Sequence, residues 1–242
     1  MNLILFENAA EAARLASADP RAQHIREVLR MKTGDQFFVG VVNGRRGKAT
    51  LADEGDRGLS LEIIWEKSIE PPRPVWVLAG LPRPQTARDL LREAATFGIS
   101  ALHFFNAEKG ERSYAHSTLW KSDEWKQRLR EGTAQAFATQ VPEVAHNASL
   151  KDAIDKISLV APQNAIRLAL DVYEGSAVLS ELAPLDGPVI LALGAERGWS
   201  AQERLTLRDA GFKLANLGPR VLRTETALVA GLSVLLARRG EF

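Results

Sequence analysis

A short apolar run that opens directly into a glycine loop limits the folds available to this chain. Residues 188–193 (PVILAL) have the continuous apolar character of a strand that is buried on both faces of a parallel sheet. The loop 194–199 (GAERGW) follows, and the spacing of Ser200 and Glu203 is that of a capping box, which predicts a helix running toward Gly211. Ligands bind beyond the carboxyl ends of strands in such sheets. The loop therefore fits a ligand site, but taken alone it fits a plain turn between a strand and a helix better.

A second segment, residues 217–232 (LGPRVLRTETALVAGL), places a Gly-Pro turn and two arginines before an apolar helix. Thr224 is predicted to be the N-cap of that helix, and the helix dipole favours the carboxylate of Glu225 in the first turn. Gly218 lacks a Cβ, so the backbone there can turn sharply and approach a bound molecule closely. Taken alone, the segment fits a ligand site and an ordinary loop before a capped helix equally well.

Strand-like and helical segments alternate after residue 71. The apolar pattern predicts strands at 75–79, 101–105, 166–170, 189–193 and 212–215, and helices at 86–97, 119–139 and 227–236. This alternation is typical of an α/β domain with a parallel sheet, and the pattern by itself favours an open, Rossmann-like sheet.

The first 70 residues have a different pattern. Short strand-like runs at 3–6, 36–42, 48–51 and 59–64 are separated by turn residues, which predicts a small antiparallel β-barrel. Asn43 and Gly44 indicate a hairpin, with Arg45 and Arg46 at its exposed tip. Prolines at 71, 72 and 74 then predict an extended linker, because each proline restricts its own backbone and that of the residue before it.

Composition excludes several classes of function. The chain has no cysteine, which rules out thiol nucleophiles and thiolate metal sites, and its four histidines lie too far apart for a predicted metal centre. No GxGxxG motif follows a strand, which argues against a nucleotide-dependent oxidoreductase. The start of the chain does not resemble a signal peptide, and no apolar run has the length of a membrane span, so we expect a cytoplasmic protein without membrane contact.

The charge balance gives weaker guidance. A net charge of +1 is small for a protein that binds RNA. The basic residues do form clusters at 26–32, 45–48 and 83–88, each of which also fits a solvated surface. If the fold brings these clusters near the ligand loops, they can contact phosphates.

Four motifs in the same order resemble those of a known family. Residues 194–203 (GAERGWSAQE) are similar to a GPEGG(F/W)S…E motif, and residues 217–227 (LGPRVLRTETA) to LG.RILRTETA. Residues 24–35 (HIREVLRMKTGD) resemble an H…VLR…GD signature, and residues 111–113 match a central ERS. Together they resemble the RsmE family of 16S ribosomal RNA uridine-N3 methyltransferases, in the SPOUT superfamily.

The resemblance implies a fold, a cofactor and partners. It implies a PUA-like, RNA-binding β-barrel over residues 1–70 and a SPOUT methyltransferase domain over 71–242, whose parallel sheet carries a deep trefoil knot. The knot, an exception to the rule that chains do not thread loops, would be formed near residues 170–174, 193–199 and 217–222. The implied cofactor is S-adenosyl-L-methionine, the implied substrate is ribosomal RNA or the small ribosomal subunit, and the implied assembly is a homodimer, with no metal. The helix at 227–236 would then be partly interface and partly core.

The resemblance also implies roles for individual residues. The implied catalytic residues are Arg223, which can stabilise charge on a uracil oxygen, and Glu225, which can orient that arginine or accept a proton; ion pairing of Arg223 with Glu225 or Glu196 is the structural alternative. The implied cofactor-binding residues are Leu170, Leu193, Gly194, Glu196, Gly198, Leu217, Gly218, Leu222 and Thr226. The implied RNA-binding residues are His24, Arg30, Arg45, Arg46, Arg83, Arg88 and Arg112.

The chain also departs from the family motifs. Ala195 and Arg197 stand where the family has proline and glycine, and arginines expected at the extreme N-terminus and within 134–142 are missing. These changes leave two alternatives open. One is a knotted methyltransferase that modifies another RNA nucleotide, and the other is an RNA- or ribosome-binding homologue without catalysis.

Overall fold

The chain forms two compact units in a computed structural model that describes residues 3–182 and 185–241. The first unit comprises Met1–Pro71 and Arg130–Val141, and the second comprises Pro72–Leu129 and Pro142–Phe242. The ends of the predicted domains, at residues 1 and 242, lie outside the described residues.

The first unit is built on a five-stranded sheet with the order β1-β3-β4-β5-β2. Its elements are β1 (Ile4–Phe6), α1 (Ala9–Ala12), β2 (Arg14–Ala16), α2 (Pro20–Gln23), a π-helical turn at His24–Val28, β3 (Gln36–Val41), β4 (Arg46–Gly55) and β5 (Gly58–Trp65). The prediction of antiparallel pairing is wrong for one pair, because β1 lies parallel to β3. The residues between these two strands include α1, β2 and α2, which gives the chain the length that a parallel crossover needs.

Alternating side chains of these strands form the core of the first unit. Phe37 and Val39 of β3 and Leu51 of β4 are buried together with Phe6 of β1. The predicted hairpin is confirmed: the N–H of Val41 donates to the carbonyl of Arg45 at 3.0 Å, and Asn43 has a φ of +54°. Asparagine is among the residues that adopt this left-handed conformation at lower cost. Arg45 is exposed beside the turn as predicted, but the prediction for Arg46 is wrong, because Arg46 is the first residue of β4 and is partly buried.

The second unit is built on a seven-stranded sheet with the order β10-β12-β9-β11-β6-β7-β8. Its elements are β6 (Arg73–Gly80), α3 (Pro84–Thr96), β7 (Ile99–Phe105), α4 (Thr118–Lys121), α5 (Glu124–Gln135, of which residues from Arg130 on belong to the first unit), β8 (Glu143–Ala148), α6 (Leu150–Val160), β9 (Ile166–Leu170), β10 (Ala177–Val178), β11 (Val189–Leu193), α7 (Ala201–Asp209), β12 (Lys213–Asn216) and α8 (Thr224–Arg238). Short 3-10 turns lie at Arg112–His116 and Leu179–Glu181. Every neighbouring pair of these strands is parallel, which confirms the predicted α/β class.

The prediction of one long helix over residues 119–139 is wrong. The helix is broken at Ser122, whose backbone is extended and whose hydroxyl accepts a hydrogen bond from the N–H of Glu124 at 3.3 Å. Serine competes in this way with helical hydrogen bonds and starts a new helix instead. The second helix ends at Gln135, shortly before Phe137, which has a φ of +59°.

The strand β11 lies at the centre of the seven-stranded sheet. All five of its residues are buried, as the apolar run predicted. Ile190 packs in one cluster with Trp76 of β6, Phe105 of β7 and Trp199. This core holds the end of β11 and the loop that follows it in place.

Candidate active site

Three parallel strands end at the same edge of the seven-stranded sheet. Leu193, the last residue of β11, pairs with Leu170, the last residue of β9, which in turn pairs with Ala215 of β12. The loops that follow these strands therefore begin side by side. They enclose a cleft of about 500 Å³, a volume within the range of small-molecule sites.

Two of these loops supply much of the cleft lining. We call residues 194–199, after β11, the first wall, and residues 217–223, before α8, the second wall. The residues after β9, from Asp171 to Tyr173, also line the cleft, together with Arg83 and Thr86 at the start of α3.

The first wall is restrained by the side chain and the carbonyl of Trp199. The indole is 2% exposed, its N–H donates to the carbonyl of Leu170 at 2.9 Å, and its ring stacks on Phe105 with centroids 5.6 Å apart. The Trp199 carbonyl accepts hydrogen bonds from Lys109 at 2.8 Å and from Arg204 at 3.1 Å. These contacts leave the end of this wall little freedom to move.

The predicted capping box at the start of α7 is confirmed. The Ser200 hydroxyl accepts from the N–H of Glu203 at 3.0 Å, and the Glu203 carboxylate accepts from the N–H of Ser200 at 2.8 Å. The same carboxylate accepts from the N–H of Glu108 at 2.9 Å. The first wall is thus followed by a helix whose start is tied to a neighbouring loop.

A buried ion pair joins the loop after β9 to the helix α7. Arg204 donates to both carboxylate oxygens of Asp171, at 2.5 and 3.3 Å, and the Asp171 side chain is only 2% exposed. The N–H of Tyr173 also donates to Asp171, at 2.9 Å. Burial by itself raises the pKa of Asp171, but the hydrogen bonds from Arg204 and the N–H of Tyr173 outweigh burial and hold the pKa below its usual value. Asp171 is therefore a carboxylate that fixes this loop.

The second wall makes fewer contacts. Gly218 has a φ of +102°, a conformation that favours glycine, and its N–H donates to the side chain of Asn216 at 3.0 Å. The side chains that follow, from Pro219 to Arg223, are exposed. Val221 is 69% exposed beside the cleft.

The prediction that Thr224 caps α8 is wrong. The N-cap is Arg223, whose extended backbone precedes the helix and whose carbonyl accepts from the N–H of Ala227 at 2.8 Å. Thr224 is the first helical residue and is buried, and the helix start has no side-chain cap. Glu225 does lie in the first turn, as predicted, where the helix dipole favours its charge.

The two predicted catalytic residues both line the cleft. Arg223 is exposed and Glu225 is partly exposed. The structural alternative for Arg223 was an ion pair with Glu225 or Glu196. Among the described residues, no ion pair or side-chain hydrogen bond joins Arg223 to either carboxylate. Both charges are therefore available to a bound ligand.

Most of the predicted cofactor residues lie together at this cleft. Those that line it are Leu170, Leu193, Gly194, Glu196, Gly198, Leu217 and Leu222. Gly218 and Thr226 are not among the described residues of the lining, and Thr226 points to solvent. The carboxylate of Glu196 accepts from the backbone N–H of Arg83 at 2.8 Å, which links the first wall to the start of α3.

Comparison with known proteins identifies the family. The profile of an RNA methyltransferase domain matches residues 69–236, and that of an RNA methyltransferase PUA domain matches residues 18–64. A Treponema pallidum protein named ribosomal RNA small subunit methyltransferase E is 34% identical over 98% of this chain and 91% of its own length. The chain belongs to the RsmE family. It is an RNA methyltransferase with a PUA-like first unit, as the sequence motifs predicted.

Other RsmE proteins agree with this assignment. Ribosomal RNA small subunit methyltransferase E 1 of Borreliella burgdorferi is 26% identical over 99% of this chain and 98% of its own length. The crystal structure of the Neisseria gonorrhoeae RsmE bound to S-adenosyl methionine has the same fold, with a TM-score of 0.80, 20% identity and coverage of 98% of this chain and 97% of that one.

The predicted RNA-binding residues of the first unit differ in whether their side chains are exposed or paired within the protein. His24, Arg30 and Arg45 are exposed. Arg46 is instead engaged inside the unit, because its guanidinium donates to the carbonyl of Phe137 at 3.0 Å and to Glu66 at 3.3 Å. Arg46 therefore has a structural task besides any contact with RNA.

The three RNA-binding residues predicted in the second unit also differ in whether their side chains are paired within the protein. Arg83 and Arg112 are exposed. Arg88 forms a two-pronged ion pair with Glu124, at 2.6 and 2.9 Å. Hydrogen bonds from Arg88 and Arg128 lower the pKa of Glu124 to about 2. The guanidinium of Arg88 is thus paired with a carboxylate of α5.

Four residues at or beside the cleft were not assigned a role from the sequence. Arg220 and Tyr173 line it, and Arg197, noted above as a departure from the family motif, also does. Asp171 follows β9 directly, a position that the strand-end rule can flag once the strand has been found. Its partner Arg204 lies 33 residues away, so no local pattern indicates the pair.

No helix among residues 3–182 and 185–241 is long and apolar enough to cross a membrane. Within the same residues, no group of three or more histidine, aspartate or glutamate side chains is arranged to hold a metal ion.

Proposed function

We propose that the protein transfers the methyl group of S-adenosyl-L-methionine to N3 of a uridine in 16S ribosomal RNA. The observation that carries this proposal is the cleft at the sheet edge, where both family motifs meet and where Arg223 and Glu225 are free to act. Relatives of this chain are named for the small ribosomal subunit, and the Neisseria gonorrhoeae structure contains the cofactor.

The residues of the cleft fit this cofactor. Leu170, Leu193, Leu217 and Leu222 line it with apolar surface, which suits an adenine ring and the carbons around a sulfonium. The glycines of the first wall let backbone groups approach a ligand closely. When bound, the cofactor supplies an activated methyl group on a positively charged sulfur, and carboxylates such as Glu196 at the mouth match that charge.

The chain's own residues then have two tasks. The walls must hold donor and acceptor in line and exclude water, since orientation provides much of the rate in such a transfer. N3 of uracil also carries a proton at neutral pH, so the site must remove that proton or stabilise the uracil anion.

Arg223 and Glu225 perform this second task in the proposed mechanism. The Arg223 guanidinium can stabilise negative charge on a uracil oxygen. Glu225 can accept the N3 proton or orient Arg223. Both roles for Glu225 remain part of the proposal, because both require a carboxylate at the start of α8 beside the cleft.

The remaining predictions also belong to this proposal. The trefoil knot, the homodimer and the cytoplasmic location follow from the family. The homodimer is supported by Val229 and Val234, apolar residues of α8 that are partly exposed. Light scattering on the purified protein tests the dimer directly, and a monomer would contradict it.

The decisive experiment is methyl transfer to small ribosomal subunits that lack this modification. Labelled cofactor is supplied, the RNA is digested, and the nucleosides are identified by mass spectrometry. Labelled N3-methyluridine supports the proposal. Another labelled nucleoside would move the substrate to a different RNA position, and cofactor binding by calorimetry without any transfer would support the non-catalytic homologue.

A further inference from the structure

Four arginines line the mouth of the cleft: Arg83, Arg197, Arg220 and Arg223. All four are exposed. The carboxylates in the same lining are Glu196, Glu225 and Asp171, and Asp171 is already neutralised by Arg204. The mouth therefore carries an excess of positive charge, although the net charge of the whole chain is only +1.

Three of these arginines have no side-chain partner in the protein. Within the described part of the chain, Arg197, Arg220 and Arg223 form no ion pair and no side-chain hydrogen bond, whereas Arg83 donates to the Thr86 hydroxyl at 3.2 Å. Other arginines nearby are paired, as Arg204 is with Asp171 and Arg208 with Glu174. Unpaired guanidinium groups gathered at one opening are suited to a ligand that carries several negative charges.

An exposed aromatic ring lies at the same opening. Tyr173 lines the cleft and is 74% exposed. Its backbone is held in place by Asp171, whose carboxylate accepts from the Tyr173 N–H at 2.9 Å. The ring is thus presented to solvent from a fixed loop. Single-stranded nucleic acids are bound by this combination of cationic groups for phosphates and aromatic rings for bases.

We propose that Arg197, Arg220 and Tyr173 bind the RNA strand on either side of the methylated nucleotide. The two arginines contact phosphates, and the Tyr173 ring stacks on an unpaired base. This inference rests on the proposed function, since it takes RNA as the substrate of the cleft. It assigns to Arg197, which replaces a glycine of the family motif, a role in holding that substrate.

A second copy of the chain fits this surface less well than RNA does. In a two-fold symmetric dimer formed through this surface, the arginines of one copy would face the arginines of the other. Like charges in such an arrangement oppose association. An RNA strand instead supplies one negative charge at every nucleotide.

The test is titration of the full-length protein with a short fluorescent single-stranded oligouridine, read by anisotropy at several salt concentrations. The variants are Tyr173→Ala, Tyr173→Phe and the double variant Arg197→Gln with Arg220→Gln. Lys213→Gln is the matched control, because Lys213 is exposed at the opposite end of β12. Cofactor affinity and oligomeric state are measured for each variant by calorimetry and light scattering.

We expect the slope of log affinity against log salt to become shallower by about 0.7 for each arginine removed. We expect Tyr173→Ala to weaken binding about tenfold and Tyr173→Phe to stay within about twofold of wild type, because the ring is kept. Lys213→Gln keeps the wild-type slope, and cofactor affinity stays unchanged throughout.

Several results would overturn the inference. They are a wild-type protein that does not bind the probe at low salt, a double variant with the wild-type slope, and equal losses in both Tyr173 variants. A change of oligomeric state with unchanged RNA affinity would assign the surface to a second copy instead. Methyl transfer to small subunits is measured separately. If the wild-type protein forms N3-methyluridine but the variants bind RNA as well as wild type does, only this inference is refuted. The expected RNA-binding losses without N3-methyluridine refute only the proposed function.

Discussion

The two walls of the cleft both belong to family motifs, but contacts within the protein restrain the first wall much more than the second. The first wall ends in Trp199, which is buried and linked to Leu170, Lys109 and Arg204 by hydrogen bonds. The second wall is a run of exposed side chains that leads into a helix without a side-chain cap. Both lie at the carboxyl edge of the same sheet.

This difference separates two requirements of a methyltransferase site. A surface that binds the cofactor in one pose gains from rigidity, because less ordering is needed on binding. Side chains that meet the reacting base must instead be left unpaired in the free protein. Arg223 illustrates the second requirement, since it occupies the N-cap position of α8 where a serine or aspartate would stabilise the helix.

The largest expected effect comes from removing the anchor of the first wall. Trp199→Ala deletes a buried side chain and its hydrogen bond to Leu170, so we expect the free energy of unfolding to fall by about 3–5 kcal/mol. Denaturant unfolding measures this loss. The matched control is Trp125→Ala on α5, where the side chain is partly exposed and a loss of about 1 kcal/mol is expected. Equal losses in the two variants would contradict the anchoring role of Trp199.

Next in size is the effect of replacing Arg223 in the second wall. Arg223→Ser removes the charge at the cleft, and we expect kcat for methyl transfer to fall by about a hundredfold to a thousandfold. The serine can cap α8, so the free energy of unfolding should rise by about 0.5–1 kcal/mol. Single-turnover kinetics and thermal unfolding test the two expectations.

Arg223→Lys is the control for this variant. It keeps a positive charge without the planar guanidinium and offers no cap, so we expect reduced activity with unchanged stability. If Arg223→Ser is as active as wild type, Arg223 has no catalytic role and the contrast between the walls is only structural.

A smaller effect is expected at the ion pair between Asp171 and Arg204. Asp171→Asn removes the main carboxylate partner of Arg204, which keeps only its longer ion pair with Glu174 at 3.4 Å. We expect the free energy of unfolding to fall by about 2 kcal/mol at neutral pH. Because the pKa of Asp171 is lowered in the folded protein, its contribution is fully present above the ordinary carboxyl pKa of about 4. It is lost as the pH falls through the lowered pKa.

The difference between wild type and Asp171→Asn should therefore shrink in acid. Denaturant unfolding over a pH series measures it. A difference that stays constant from neutral pH into strong acid would show that the charge of Asp171 does not act in this way.

The smallest effect is expected at the capping box. Ser200→Ala removes the hydroxyl that accepts from the Glu203 N–H, and we expect a loss of about 1 kcal/mol of stability. Ser180→Ala, at an exposed serine, is expected to change stability by less than about 0.5 kcal/mol. Thermal unfolding compares the two, and a neutral Ser200→Ala would show that α7 does not depend on its cap.

Local patterns predicted the fold well where neighbouring residues carry the signal. The strand at Val189–Leu193 and the helix that begins after Ser200 are confirmed, because an apolar run and a capping box each act over a few residues. The predictions were wrong where another interaction of the same residue outweighed the local pattern. Ser122 interrupts a helix that its apolar pattern supports, and Thr224 is drawn into the helix as a buried residue instead of capping it.

The candidate site shows the same division. The motifs at 194–203 and 217–227 predicted which loops meet and which family the chain belongs to. They did not indicate that Thr226 faces solvent or that Tyr173 lines the cleft. The direction of a side chain at a loop depends on contacts with residues far away in the sequence.

The sequence by itself determined the parallel α/β class, the PUA-like first unit and the RsmE family. It also determined the positions of the two loops that carry the motifs. Only the tertiary structure decided which charges are free. Arg88 pairs with Glu124, 36 residues away, and Arg46 with the carbonyl of Phe137, 91 residues away, whereas Arg197, Arg220 and Arg223 remain open at the cleft. An ion pair depends on distance in space, and only the packing of strands and helices brings residues so far apart in the chain to within hydrogen-bonding distance.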